Sequence, residues 1–432
     1  MSATARLDAA FLLAIDRRLA EADQVLATCY PGDSGSRQPL HTVYVPADQV
    51  DSDTPARWGA AALDLLDAVV PDARSAARVT GLGGIDAEVH RRVRAKLAGQ
   101  PVEDLRVDFE DGYGARPDAE EDAAAAAAGA ALAGLLAVAA APSFGAAAAA
   151  GPSFGGIRFK SLEAATRRRG LRTLDLVLGT LLDAGPLPDG LLVTLPKVTS
   201  TDQVLAMVEV CARLEESYGL TPGRLRFEIQ VEAPQAILGP DGVATVAVMV
   251  HAAGNRCVGL HYGTYDYSAA CGVAAAYQSL EHPVADHAKA VMQVAAAGTG
   301  VRLSDGSTNV LPAGTPEQVR AALRLHARLV RRSLEQGYYQ GWDMHPGHLV
   351  TRYLAAYAFF REGLPAAADR LRRYLSRTGG GVLDEPATAQ ALASFLTRGL
   401  HCGALDDAEV AAATGLPRRA LDALARRRPL PD

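Results

Sequence analysis

Nine acidic, basic or imidazole side chains fall where short apolar runs give way to polar or Gly/Pro-containing turns. They are Asp108, Glu110 and Asp111 in VDFEDGYGARP, Arg158 and Lys160 in GIRFK, Lys197 in TLPKV, Glu232 in QVEAPQAI, Asp266 in GLHYGTYDYSA and His345 in GWDMHPGH. Glu232 and Asp266 end successive runs, so adjacent strands would bring two carboxylates within reach of one cation. No Cys/His cluster lies beside them, and oxygen-only ligation suits Mg2+ or Mn2+ rather than Zn2+. Such an ion keeps positions that the carbonyl and carboxylate oxygens of a 2-oxo acid can fill. Arg158 would add a permanently charged fork for a substrate carboxylate or a developing enolate. A second reading of Glu232 and Asp266 is that each caps the helix after it. Glu110 and Asp111 can move a proton or pair with Arg158 or Arg116. Lys197 can bind or stabilise negative charge; a Schiff base is not required where a metal already serves as electron sink. His345, with His348 three residues on, faces the site or caps the following helix.

These residues need a frame that turns all of them to one side. The apolar runs are His41 to Val45, Leu105 to Phe109, Gly156 to Phe159, Leu191 to Leu195, Leu225 to Val231, Cys257 to Tyr262, Val301 to Leu303 and Gly341 to His345. Segments of helical period separate them, among them Ala60 to Val69, Thr201 to Tyr218 and Pro316 to Glu335, and such alternation predicts βα units with a parallel sheet. Eight strands are the number a closed (β/α)8 barrel needs, and in that fold the chemistry sits at the C-terminal ends of the strands. The fold class expected is therefore α/β, a (β/α)8 TIM barrel. Residues 120–151 read as an alanine-rich insertion whose first half can be a helix and whose second half, leading through a duplicated PSFG, looks like a loop, and after Arg361 only helical segments continue. The division expected is a barrel over residues 1–362 carrying the site, and a helical domain or lid over 363–432.

Composition narrows the class. The 432 residues are 49% hydrophobic but only 6% aromatic, so much of the apolar content is alanine, suited to closely packed helices. A net charge of −6, from 43 basic and 49 acidic residues, provides no field for nucleic acid. Five cysteines without CxxC spacing read as reduced thiols of a cytoplasmic protein. The N-terminal stretch MSATARLDAAFLLAIDRRLAEAD is interrupted by charge too often for a signal peptide or a membrane span.

QVEAPQAI and GLHYGTYDYSA resemble the I-E-T-P/A-x-A/G and G-x-x-D-[LY] motifs of the HpcH/HpaI aldolase and citrate lyase beta-subunit family. VDFEDG is similar to that family's D-L-E-D strand end, GIRFK to its arginine strand, TLPKV to its L-P-K strand and GWDMHPGH to its late G-x-x-x-I-H-P element, all in family order. The resemblance implies a (β/α)8 barrel with Mg2+ held by Glu232 and Asp266 and substrate bound by Arg158. It implies a lyase or aldolase that makes or breaks a carbon–carbon bond in a small 2-oxo or hydroxy acid, with an acyl-CoA thioester as one form of substrate and homo-oligomers common. LDEPATAQALASFL and GTYDYSA are similar to segments of malate synthases, relatives by fold. That similarity implies Glu385 as a base and a Claisen condensation of an acyl-CoA with glyoxylate as the alternative activity, although DEP before alanines is also a good helix start. An inactive barrel serving as an interaction or regulatory protein is the non-enzymatic alternative.

Overall fold

The computed structural model of the chain describes residues 6–140, 151–376 and 386–428. All eight expected strands form: β1 His41–Pro46, β2 Asp104–Asp108, β3 Phe154–Arg158, β4 Leu191–Leu195, β5 Phe227–Val231, β6 Cys257–Tyr262, β7 Arg302–Ser304 and β8 Gly341–Asp343. They pair in parallel in the order β8-β1-β2-β3-β4-β5-β6-β7. A bridge between Ser304 and Gln340 then joins the two edges, with the Asp305 N–H donating to the Gln340 carbonyl at 2.8 Å. The result is a nearly closed α/β barrel. Its helices are α1 Ala9–Cys29, α2 Thr54–Val69, α3 Ala73–Thr80, α4 Ala87–Gly99, α5 Asp118–Ala140, α6 Arg167–Ala184, α7 Thr201–Ser217, α8 Pro234–Ile237, α9 Thr245–Ala252, α10 Thr264–Ala270, α11 Pro283–Ala296, α12 Pro316–Glu335, α13 Pro346–Ser376, α14 Pro386–Cys402, α15 Asp407–Thr414 and α16 Arg418–Ala425. No described helix is long and apolar enough to cross a membrane.

Several strands alternate because the inside of this barrel is polar. Along β5, Phe227, Ile229 and Val231 join the apolar layer under the helices, while Glu228, Gln230 and the following Glu232 take the other face. Along β2, Leu105 and Val107 point to the helices and Asp104, Arg106 and Asp108 point inward. Arg106 is fully buried and bonds Asp104, Glu228 and the Thr194 hydroxyl. Glu228 also lies 3.1 Å from His261, whose Nδ1 accepts from the Trp342 indole N–H at 3.0 Å. This paired layer closes the barrel beneath the strand ends.

The alanine-rich stretch begins as helix α5, which stands where the barrel needs its β2-to-β3 helix. Its Ala125, Ala128, Leu132, Leu135 and Leu136 are buried. At Gly129 a Cβ would come within 2.7 Å of Thr180 Cβ and 2.9 Å of the Val177 carbonyl, so small residues are what let α5 lie close on α6. The expected insertion thus narrows to residues 141–150, which, with the first PSFG, lie outside the described residues. The second PSFG leads into β3 at Phe154.

At the C-terminal side, α13 runs for 31 residues straight through position 362. Tyr353 on this helix donates to the Pro101 carbonyl at 2.9 Å, and Tyr357 to the Cys402 carbonyl at 2.8 Å. One helix is thus fastened both to the barrel and to the helices that follow. Leu396, Leu405, Val410 and Leu421 share an apolar cluster with Phe360 and with Val43 of β1, so the helical extension is packed onto the barrel.

Candidate active site

The strand ends of β2 to β6 bring most of the expected residues together. Asp108, the last residue of β2, accepts both Nε and Nη2 of Arg158 at 2.7 Å. It also accepts the N–H groups of Glu110 at 3.0 Å and Gly112 at 2.9 Å, so the turn after β2 is wound around one carboxylate. A Cβ at Gly112 would sit 2.6 Å from Asp108 Oδ2, and the tight turn needs glycine there. Arg158 is buried, its guanidinium 4.8 Å from the Tyr44 ring centroid and 5.8 Å from that of Trp342. Its third nitrogen, Nη1, makes only two long contacts, 3.4 Å each, to Gln230 Oε1 and Glu110 Oε2.

Lys197 links the acidic groups. Its Nζ lies 2.7 Å from Glu110 Oε1, 2.7 Å from Asp111 Oδ1 and 3.9 Å from Asp266 Oδ2. Its backbone N–H donates to Glu232 Oε1 at 2.7 Å. Lys197 takes a φ of +52°, an uncommon conformation for a residue with a Cβ, and such backbone strain clusters at functional sites. Glu232 is buried, and its other oxygen accepts from the Gln230 amide. At Gly263 a Cβ would meet Glu232 Cβ at 2.4 Å and Oε2 at 2.8 Å, so the space beside this carboxylate exists only because β6 is followed by glycine. Gly263→Ala is therefore expected to displace the Glu232 carboxylate, a shift that a crystal structure of the variant would show.

Burial, with Glu110 and Asp266 nearby, pushes the Glu232 carboxyl up to about 8. Glu110 is raised too, chiefly by burial, against the pull of Arg158 and Lys197. Asp111 resists burial and is lowered by its bond to Lys197. Lys197 itself is desolvated but held well above the usual ammonium range by Asp111 and Glu110. The turn after β2 thus carries two adjacent carboxyls with pKa values pulled apart, a pattern suited to proton transfer beside a fixed charge.

Asp266 sits in the first turn of α10 with its side chain about half exposed, facing Lys197 rather than capping the helix. His345 accepts the Gly347 N–H on Nδ1 at 3.0 Å, which caps the start of α13. Glu385 lies outside the described residues; α14 begins at the next residue, Pro386. Lys160 is taken up by Glu121 at 2.6 Å and the Phe109 carbonyl at 2.9 Å, a tie between β3 and α5.

Gln230, Tyr44 and Trp342 are the site residues the sequence reading missed. Gln230 stands two before Glu232, on the same face of β5 by strand periodicity, and was open to the same argument. Tyr44 and Trp342 carry no charge and end no strand, so nothing in the sequence singled them out.

Oxygen donors gather on one side of the mouth: the buried Glu232 with one oxygen on each of two N–H donors, the half-exposed Asp266 and the raised Glu110. The Glu232 carboxyl, raised by burial and by Glu110 and Asp266 beside it, is a group that a hard divalent cation would relieve, and these oxygen-only donors suit Mg2+ or Mn2+. Among the described residues, three ligand atoms come within 4.8 Å of one another only in a different group, His326, Asp343 and His348. Its two rings stack at 4.3 Å and 14°, so their in-plane lone pairs run side by side instead of converging. Asp343 is already engaged by Arg352 at 2.9 Å and His326 at 3.1 Å, and His348 Nε2 meets the Val310 carbonyl at 3.1 Å. Desolvation by burial lowers His348 to about 3, and with Asp343 held ionised by Arg352 this group is a hydrogen-bonded support at β8.

The fold has solved counterparts. A citrate lyase from Burkholderia xenovorans LB400 superposes with a TM-score of 0.55 at 18% identity, over 88% of this chain and 96% of that one. CitE from Mycobacterium tuberculosis, in complex with magnesium, acetoacetate and coenzyme A, gives 0.47 at 18% identity over 85% and 99%. A Haloferax volcanii malate synthase, as a lead(II) complex, gives 0.46 at 14% identity over 85% and 90%. No curated protein matches the sequence. The profile of the family described as "Domain of unknown function (DUF6986)" matches residues 19–429, and the chain belongs to that family.

Proposed function

We propose that this barrel is an Mg2+- or Mn2+-dependent enzyme that makes or breaks a carbon–carbon bond next to the carbonyl of a small 2-oxo or hydroxy acid, taken free or as an acyl-CoA thioester. The observation that carries the reading is Glu232, a buried carboxyl held by two N–H donors, with Asp266 and Glu110 on the same side and cationic Arg158 and Lys197 facing them. Glu232 and Asp266 are the residues that would hold the cation. When bound, it supplies positive charge for the oxo acid and for the enolate that carbon–carbon cleavage or condensation requires. That a citrate lyase is among the proteins sharing the fold supports the lyase direction.

The chain's own groups divide the remaining work. Arg158 is locked by Asp108 and the Tyr44 face, so its one loosely held nitrogen, Nη1, is set to take a substrate carboxylate in place of Glu110. Lys197 stays protonated and places a second positive charge over the mouth. Glu110, buried and released from Arg158 by the incoming carboxylate, is the group we assign to proton transfer, with Asp111 remaining ionised beside Lys197. His345, a cap in this structure, is left with no substrate role in the proposal.

A cation held by Glu232 would have to displace its proton. Its pKa is raised to about 8, so apparent affinity is expected to increase with pH and level off above about 8. In calorimetry near neutral pH, buffers of different ionisation enthalpy should reveal release of about one proton per ion. The activity itself is tested by supplying Mg2+ with malyl- and citramalyl-CoA for cleavage, and with acetyl-CoA plus glyoxylate, pyruvate or oxaloacetate for condensation. Turnover of at least one, lost on chelation, is the expected result; none with any of them counts against the reading.

A further inference from the structure

Helix α1 runs from Ala9 to Cys29, about 30 Å by helical rise, and none of its side chains is buried. Phe11, Leu12, Leu13, Ile15, Leu19, Val25 and Leu26 are each 39–58% exposed. Four of them share one face. Leu12, Leu19 and Leu26 recur every seven residues, and Ile15, Ala22 and Cys29 follow each of them by three, which is the a/d seam of three successive heptads. The charged residues flank the seam in a specific way: Asp16 and Asp23 fall at e, and Arg18 falls at g.

We infer that α1 is a self-association helix that pairs, parallel and in register, with the same helix of a second copy of this chain. Charge selects both occupant and direction. In the parallel arrangement Arg18 at g faces Asp23 at e of the other helix, an opposite-charge pair repeated by symmetry. The antiparallel arrangement with the same overlap sets Asp16 against Asp23 twice, two like-charge contacts. An anionic membrane surface is a poor occupant, because the helix carries two arginines, Arg17 and Arg18, against Asp16, Glu21 and Asp23. Leucine at every a, with isoleucine, alanine and cysteine at d, does not restrict the bundle to two strands.

The parallel register brings Cys29 of one copy beside Cys29 of the other, whereas the antiparallel one puts them at opposite ends. Cys211, Cys257 and Cys402 are buried, and the exposed Cys271 can be removed as Cys271→Ser. Light scattering on the full chain should give a mass of two or more chains, falling to one chain on deletion of residues 1–29 and for Leu19→Glu. Arg18→Asp should weaken association several-fold, and Arg18→Asp with Asp23→Arg should restore it. Diamide treatment of Cys271→Ser should yield a disulfide-linked pair that Cys29→Ser abolishes. A single-chain mass for the unmodified protein, an assembly that survives the deletion or Leu19→Glu, or no Cys29 crosslink in an assembled protein would each overturn the inference.

Discussion

Glu232→Gln is expected to remove divalent-cation binding and turnover while making the cation-free protein more stable. The two effects have one cause. Burial and the neighbouring Glu110 and Asp266 make the ionised carboxylate unfavourable, and a cation converts that cost into affinity. A raised carboxyl favours the folded state below the ordinary carboxylate range and loses that contribution as pH rises through about 8. Chemical denaturation in chelator should therefore show the unsubstituted protein weakening between roughly pH 5 and 8, with Glu232→Gln flatter and ahead by on the order of 2 kcal/mol at the upper end. The glutamine oxygen can still accept the Lys197 N–H, and the Gln230 amide can turn to serve the new N–H2, so little packing is lost. Turnover with Mg2+ should drop at least about 1000-fold, since one of two carboxylate ligands and its charge are gone. A variant that is merely destabilised, with cation affinity intact, contradicts the assignment.

Arg158→Met is expected to be the most damaging single change to stability in the mouth. It leaves Asp108 buried with only the N–H groups of Glu110 and Gly112 and removes the cation that restrains Glu110. Removing one partner of a buried pair costs about 3–5 kcal/mol. The double variant Asp108→Asn, Arg158→Met should recover much of that loss, because no buried charge is left unpaired, yet remain without activity. Stability and turnover measured on the single and double variants thus separate the structural use of Arg158, through Nε and Nη2, from its proposed substrate use through Nη1. Recovery of turnover in the double variant would remove Arg158 from the substrate site.

The frame of this site was legible because the strands repeat one local signal eight times, an apolar run ending in a polar turn. The short β7, Arg302-Leu303-Ser304 with only Ser304 buried, carries it weakly. Glu232, Asp266, Arg158, Lys197 and the turn at Glu110 and Asp111 were legible for the same reason, since strand ends in a parallel barrel share one face. The hidden parts depend on geometry across strands. Nothing local tells that Arg158 gives two of its nitrogens to Asp108, that Lys197 takes a positive φ and reaches both Glu232 and Glu110, or that Tyr44 stacks on the guanidinium. The alanine-rich stretch misled in a different way. Its composition lacks an amphipathic contrast, and only the close approach of α5 to α6 shows that its small residues are packing residues.

The central claim, that Glu232 and Asp266 share a divalent cation at the barrel mouth, is tested most directly by soaking crystals with Mn2+ and collecting anomalous data at the manganese edge. One peak is predicted beside the Glu232 and Asp266 carboxylates, and none there in Glu232→Gln crystals treated in the same way. A peak at His326, Asp343 and His348 in its place, or none at the mouth at saturating Mn2+ and pH above 8, would contradict it.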